Sequence, residues 1–329
     1  MTIAEIAARA GVSKASVSRY LNNGYVSEEK RERIRRVIEE TGYVPSRQAQ
    51  QLRTGRTRLV GVILPRIDSE SISRVVRGIS RVLDGAGFQI ILASTENDEK
   101  KELEYLEIFR KGRVDGILLV ATVLTAAHHR AIRQREVPLV AIGQQVPECP
   151  SVFHDDTGAA KALARVMLDA GRRKLAYIGV TPRDKAVGAG RRAGVEQALA
   201  GAGLILDEAL CEQTPFSLEG GREACTRLLQ RGAAFDALFC ATDSIAAGAM
   251  QALAAAGKRV PQDVMVTGVG HGRLSGFLQP PLTTAHFYYE KSGMEAARLL
   301  LEQIEDPENA DNRQIRLGFE LIEQGSTAG

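Results

Sequence analysis

Two short helical runs joined by Ala10-Gly11-Val12 open the chain, and this pairing constrains the fold more than any other feature. Thr2-Ile3-Ala4-Glu5-Ile6-Ala7 begins the first helix, and Ser13 through Asn22 supplies the second. Ile3, Ile6, Ala7, Ala10, Val12, Val17 and Leu21 recur at spacings that gather them into one small core. Lys14, Ala15, Ser16, Ser18 and Arg19 are then left on the outer side of the second helix. Gly11 suits a tight turn that needs positive φ, and Ser13 stands where an N-cap oxygen meets free backbone amides. This is the logic of a helix-turn-helix, whose second helix enters the major groove of DNA.

Charge distribution points the same way. Residues 1–58 hold 12 Lys and Arg against 6 Asp and Glu, a net of +6, and the remaining residues hold 31 against 34, a net of −3. A basic head on a mildly acidic body is the footprint of nucleic-acid binding. After Asn22-Asn23-Gly24, Ser27 and Glu28-Glu29 start a third helix, in which Ile34, Val37 and Ile38 repeat at helical spacing. Gly42 and Pro45 end it. Ser46 through Arg53 is helix-competent but too poor in apolar surface to be stable alone, so it reads as a segment that folds on binding.

Ala10-Gly11-Val12-Ser13, Val17-Ser18-Arg19, Leu21-Asn22, Val26-Ser27, Gly42-Tyr43-Val44-Pro45 and Ala49-Gln50-Gln51-Leu52 together resemble the head of the LacI/GalR family of bacterial repressors. The resemblance implies a DNA-binding domain over residues 1–45 and a hinge helix and linker over 46–57. An effector-binding and dimerisation domain over 58–329 completes the chain. It implies that Lys14, Ala15 and Arg19 face bases and that Leu52 wedges into the minor groove and kinks the duplex. Ser13, Ser16, Asn22, Arg47 and Ala49 complete the expected DNA-contacting set. Arg19 suits the paired acceptors of guanine, Lys14 suits guanine or phosphate, and Ala15 offers only a methyl group.

From Leu59 onward, short apolar runs alternate with helical stretches. Leu59–Leu64, Phe88–Ala93, Val114–Ala121, Val137–Ile142 and Val152–Phe153 form one series of strands. Leu175–Val180, Ala237–Ala241 and Val264–Val269 belong to a second. Continuous apolar strands between helices indicate parallel sheets covered on both faces, so two doubly wound α/β subdomains are expected. The family resemblance implies lobes of periplasmic-binding-protein type with a ligand cleft between them. In open parallel sheets, ligands bind beyond the carboxyl ends of strands.

Those strand ends supply the candidate effector residues Arg66, Asp68, Ser69, Asp184, Arg191 and Asp243. Arginine offers a planar fork to carboxylate or phosphate, and aspartate suits the paired hydroxyls of a sugar. The resemblance assigns effector contacts to Arg191 and Asp243; by position alone Asp243 also suits an N-cap and Asp184 a surface loop. Arg66-Ile67-Asp68-Ser69, Phe153-His154-Asp155-Asp156-Thr157-Gly158 and Ala241-Thr242-Asp243 resemble the trehalose operon repressor branch, which implies a phosphorylated disaccharide. Arg66 suits either that anion or an interlobe salt bridge, and a sugar acid of gluconate type is the alternative effector.

The chain lacks H-E-x-x-H, P-loop and G-x-S-x-G signatures, so no enzyme activity and no cofactor are expected. His128 and His129 read as solvated, and His154, His271 and His286 as isolated. Cys149, Cys211, Cys225 and Cys240 have no C-x-x-C spacing and read as reduced thiols. With no apolar run long enough to span a bilayer and no secretory signal pattern, a cytoplasmic protein with no membrane partner is expected. Residues Glu323–Gly329 carry no leucine heptad, which favours a homodimer over a tetramer. The sequence thus reads as a sugar-controlled repressor that binds double-stranded operator DNA, with a sugar-binding protein lacking a regulatory role as rival.

Overall fold

The computed structural model describes residues 1–21, 24–43, 56–112, 114–308 and 310–328. The chain divides into two compact units, Met1–Arg58 and Leu59–Gly329. In the first, α1 (Ile3–Ala10) opens with a capping box in which the Thr2 hydroxyl and the Glu5 carboxylate each accept the other residue's backbone N–H. Gly11 closes α1 in the left-handed conformation, φ 63°, and α2 (Lys14–Leu21) follows at once. The Ser13 hydroxyl accepts from the Ser16 N–H at 3.2 Å, as an N-cap should. In α3 (Glu28–Thr41), by contrast, Ser27 makes no side-chain cap bond, and the acidic first turn alone marks the start. Ile6, Ala7, Ala10, Val17, Val26, Ile34, Val37 and Tyr43 form the core of this head.

The second unit contains two six-stranded sheets among the described residues. The first uses β1 (Leu59–Leu64), β2 (Gln89–Ser94), β3 (Gly116–Val120), β4 (Leu139–Ile142), β5 (Ser151–His154) and β11 (Gln314–Leu317) in the order β11-β5-β4-β3-β1-β2, all parallel. The second uses β6 (Leu175–Gly179), β7 (Cys211–Gln213), β8 (Ala237–Cys240), β9 (Met265–Gly270), β10 (Thr283–Phe287) and β12 (Phe319–Ile322) in the order β12-β10-β9-β8-β6-β7. Only β12 runs antiparallel, against β10. The chain changes sheet after β5, after β10 and between β11 and β12, so both lobes share the segments that join them.

Helices α4 (Glu70–Gly85), α5 (Glu99–Arg110), α6 (Ala126–Arg133) and α11 (Tyr289–Glu305) cover the first sheet; α7 (Asp156–Asp169), α8 (Arg191–Gly201), α9 (Leu218–Gln230) and α10 (Asp243–Ala255) cover the second. Val60, Val62, Leu118 and Val140 on one face and Ile63, Ile117 and Leu119 on the other are fully buried, as a doubly covered parallel sheet requires. Helices α4 and α11 approach closely because Gly78 and Gly293 face each other's backbones; a Cβ at Gly78 would lie 2.0 Å from the Glu290 carbonyl oxygen. No described helix is long and apolar enough to cross a membrane. The four cysteines are free thiols, three of them buried.

Candidate functional site

In the head, Val17 turns inward and fixes the orientation of α2, leaving Ser13, Lys14, Ala15 and Arg19 exposed on one side. Ser16 is half-buried, with its hydroxyl 3.0 Å from that of Ser13. A helix presenting a lysine, a methyl group and an arginine without intervening bulk has the shape and donors to enter a major groove. Asn22, Arg47, Ala49 and Leu52 lie outside the described residues.

In the second unit, the carboxyl ends of the strands of both sheets converge on a cavity of about 480 Å³ between the lobes. All six candidate residues from the strand ends line it. Arg191, at the start of α8, is 4 % exposed, and its Nε donates to Asp156 Oδ1 at 2.7 Å. Its Nη1 donates to the Ala241 carbonyl, and the guanidinium lies 5.4 Å over the Phe287 ring. Burial pushes the Asp156 carboxyl above its ordinary range, and Arg191 pulls against that rise.

Asp243 is not the cap of α10. That role falls to Thr242, whose hydroxyl accepts from the Ile245 N–H. The Asp243 carboxylate instead accepts from the Thr284 hydroxyl at 2.6 Å and the Gly272 N–H at 2.8 Å, an anchored acceptor on the cavity wall. Burial raises its pKa, and these two bonds oppose the rise. Asp184 is buried rather than on a surface loop. It caps a single π-helical turn (Lys185–Gly190) by accepting from the Ala186 and Val187 N–H groups, and burial lifts its pKa to about 6.

At the mouth, Arg66 Nη1 donates to the Phe216 carbonyl of the opposite lobe at 2.6 Å, and its guanidinium lies 5.7 Å from that ring's centre. Its ion pair, at 3.7 Å, is with Asp68 of its own lobe. The interlobe contact expected of Arg66 therefore exists, but to a carbonyl and not to a carboxylate. Ser69 shares a hydrogen bond with Ser71. Sequence reasoning missed the second interlobe clasp. Glu70 accepts from Arg74 and from the Arg273 N–H, while Arg74 donates to the His271 carbonyl at 3.0 Å. Arg183 and Glu99 form a third, at 2.8 Å.

The histidines depart from expectation. His128 is fully buried beside Glu102, and His271 and His286 sit with Nδ1 atoms 3.2 Å apart. His154 lies on the cavity floor, stacked on Phe287 at 4.6 Å. Among the described residues no group of three His, Cys, Asp or Glu side chains is placed to hold a metal ion.

A two-lobed α/β body with a polar interlobe cavity, preceded by a helix-turn-helix head, joins a module shaped to hold a small ligand to one shaped to enter a DNA groove. Residues 2–46 match the model for bacterial regulatory proteins of the lacI family, and residues 164–327 match a periplasmic binding protein-like domain. The sucrose operon repressor of Staphylococcus xylosus is 31% identical over 303 residues, 92% of this chain and 93% of that one. A solved complex of the transcriptional regulator CelR with cellobiose aligns over 99% of both chains at 29% identity with a TM-score of 0.76. The lac repressor dimer bound to operator and the anti-inducer ONPF shares the fold, with a TM-score of 0.91 at 22% identity over 100% of this chain and 99% of that one. The chain belongs to the lacI family of bacterial regulatory proteins: it is a DNA-binding transcriptional regulator and not an enzyme.

Proposed function

We propose that the chain is a cytoplasmic homodimeric repressor of a carbohydrate-utilisation operon, binding operator DNA through α2 and a hinge that includes Leu52, under the control of a small sugar held between the lobes. The observation that carries this reading is the cavity wall itself: buried Asp243, fixed by hydrogen bonds from Thr284 and Gly272 of the second lobe, and buried Arg191, fixed by Asp156 after β5 of the first sheet and Ala241 after β8 of the second, present an acceptor and a donor to one cavity. Sugar hydroxyls, which donate and accept at once, satisfy such a pair. The sucrose repressor and the cellobiose complex among its relatives support a carbohydrate ligand. Because the mouth contacts of Arg66, Arg74 and Arg183 cross between lobes, a ligand that prefers one lobe arrangement changes their balance and thereby the head's affinity for DNA.

A phosphorylated effector, as in the trehalose operon repressor branch, is the finer reading, and Arg66 and Arg74 support it because both residues line the cavity. A sugar acid would use the same pair. Calorimetric titration of the full chain with gluconate, and with glucose, sucrose, cellobiose and trehalose each free and as the 6-phosphate, separates these. A phosphate form that binds at least about 10-fold more tightly, with the gain lost in Arg66→Ala, is the expected result. Equal affinity of the free and phosphorylated forms would remove the anion from the account while leaving the sugar.

A further inference from the structure

The charges that line the interlobe cavity do not balance. Three arginines and six acidic residues line it. Each arginine is already in an ion pair: Arg66 with Asp68 at 3.7 Å, Arg74 with Glu70 at 2.7 Å and Arg191 with Asp156 at 2.7 Å. Asp184, Glu219 and Asp243 are left over. Glu219, in the first turn of α9, is exposed, so water solvates its charge. Asp184 and Asp243 have no such outlet, being 2 % and 6 % exposed.

Hydrogen bonds hold both side chains without cancelling their charge. Asp184 Oδ1 accepts from the Ala186 and Val187 N–H groups, while Oδ2 has no donor among the described residues and still reaches solvent. Asp243 accepts from the Thr284 hydroxyl and the Gly272 N–H, both neutral donors. Arg191 acts on both carboxylates from a distance, but its Nε and Nη1 are engaged by Asp156 and the Ala241 carbonyl. Burial raises the pKa of both groups, to about 6 at Asp184. Buried carboxylates ordinarily sit beside a cation or hold a metal ion, and no group here is placed to hold a metal among the described residues. A neutral ligand that fills the cavity would displace the water screening these charges and leave them uncompensated. An ammonium group supplies three N–H donors and the missing positive charge together.

We propose that the effector carries an ammonium group whose charge Asp184 and Asp243 balance, and so belongs to the amino sugars. The inference rests on the reading of the cleft as a sugar site and adds to it the class of sugar. It is independent of the phosphate question, because Arg66 and Arg74 form their own ion pairs with Asp68 and Glu70. Amine and phosphate are therefore varied separately in the test.

The test is calorimetric titration of the full chain at about pH 7, where an amine of this kind holds its proton. The ligands are glucosamine, galactosamine and mannosamine, their neutral parent hexoses and their N-acetyl forms, each free and as the 6-phosphate. At least one amine should bind about 10-fold or more tightly than both its neutral parent and its N-acetyl form, at the same phosphorylation state. Asp184→Asn keeps the Oδ1 acceptor that caps the π-helical turn and loses only the charge. In that variant, and in Asp243→Asn, the ratio of amine to neutral affinity should fall toward one. A neutral sugar of this or the earlier panel that binds as tightly as any amine, or a ratio unchanged in both variants, overturns the ammonium group and leaves the sugar site standing. A chain that binds neither the amines nor any neutral or phosphorylated sugar of the two panels overturns the sugar site, and this inference with it.

Discussion

Replacing Arg191 with methionine should lower the free energy of unfolding by about 3–5 kcal/mol at neutral pH, because it leaves the Asp156 carboxylate buried beside no counter-charge. The pair is almost wholly removed from water, with side chains 5 % and 8 % exposed, so solvent cannot take over from the lost guanidinium. Arg191 also ties α8 to the Ala241 carbonyl at the end of β8 and lies over Phe287 of β10, and these contacts go with it. Sugar affinity should fall in the same variant. The double variant Arg191→Met with Asp156→Leu should regain much of the stability and none of the ligand affinity. Denaturant unfolding of the three proteins checks this; a single variant within 1 kcal/mol of wild type would contradict the account of the cavity floor.

Glu102→Gln should stabilise the chain, increasingly so as pH rises. Glu102 on α5 is 3 % exposed, its Oε1 has no hydrogen-bond partner among the described residues, and burial, with a smaller push from Glu99, lifts its pKa to about 8. A carboxyl whose pKa is higher folded than unfolded binds more protons in the folded state, so its effect on stability worsens as pH rises from the unfolded value toward 8. Glutamine cannot ionise. The advantage of the variant over wild type should therefore grow by about 1.5 kcal/mol between pH 6.5 and 8. His128 Nε2 lies 3.4 Å from Glu102 Oε1, and burial lowers the pKa of that ring, so between pH 6.5 and 8 it is neutral beside either side chain. Melting curves at several pH values check it, and a constant difference would mean that Glu102 is ionised in the fold.

Most of the architecture was written in apolar periodicity. The continuous runs at 59–64 and 116–120 became doubly covered strands because no polar position interrupts them. Strands β7 and β10 escaped notice for opposite reasons. Cys211-Glu212-Gln213 is a short, half-exposed edge strand, and Thr283-Thr284-Ala285-His286-Phe287 looks polar yet is mostly buried. Its threonine hydroxyls are satisfied by the Gln324 carbonyl and by Asp243, partners 41 residues away in each case. Gly318 divides the apolar run 315–322 into two strands, one in each sheet.

The cavity residues were legible as strand ends, since that rule needs only the order of strands and helices. What each carboxylate or guanidinium bonds to was not. Asp184 as a cap, and the Arg66 bond to a carbonyl 150 residues away, depend on the lobes' packing. His128 was misjudged although Ile132, four residues on, lies on the same buried face of α6. A histidine beside a second histidine and two arginines simply outweighed that spacing.

The claim at the centre of this account is that a sugar in the interlobe cavity controls how tightly the head holds DNA. Fluorescence anisotropy of the full chain on an operator duplex selected from random sequence, with and without the sugar that binds by calorimetry, measures that coupling. Saturating sugar should change operator affinity by about 5-fold or more while leaving binding to random duplex unaltered. A sugar that fills the cavity and leaves operator affinity unchanged would contradict it.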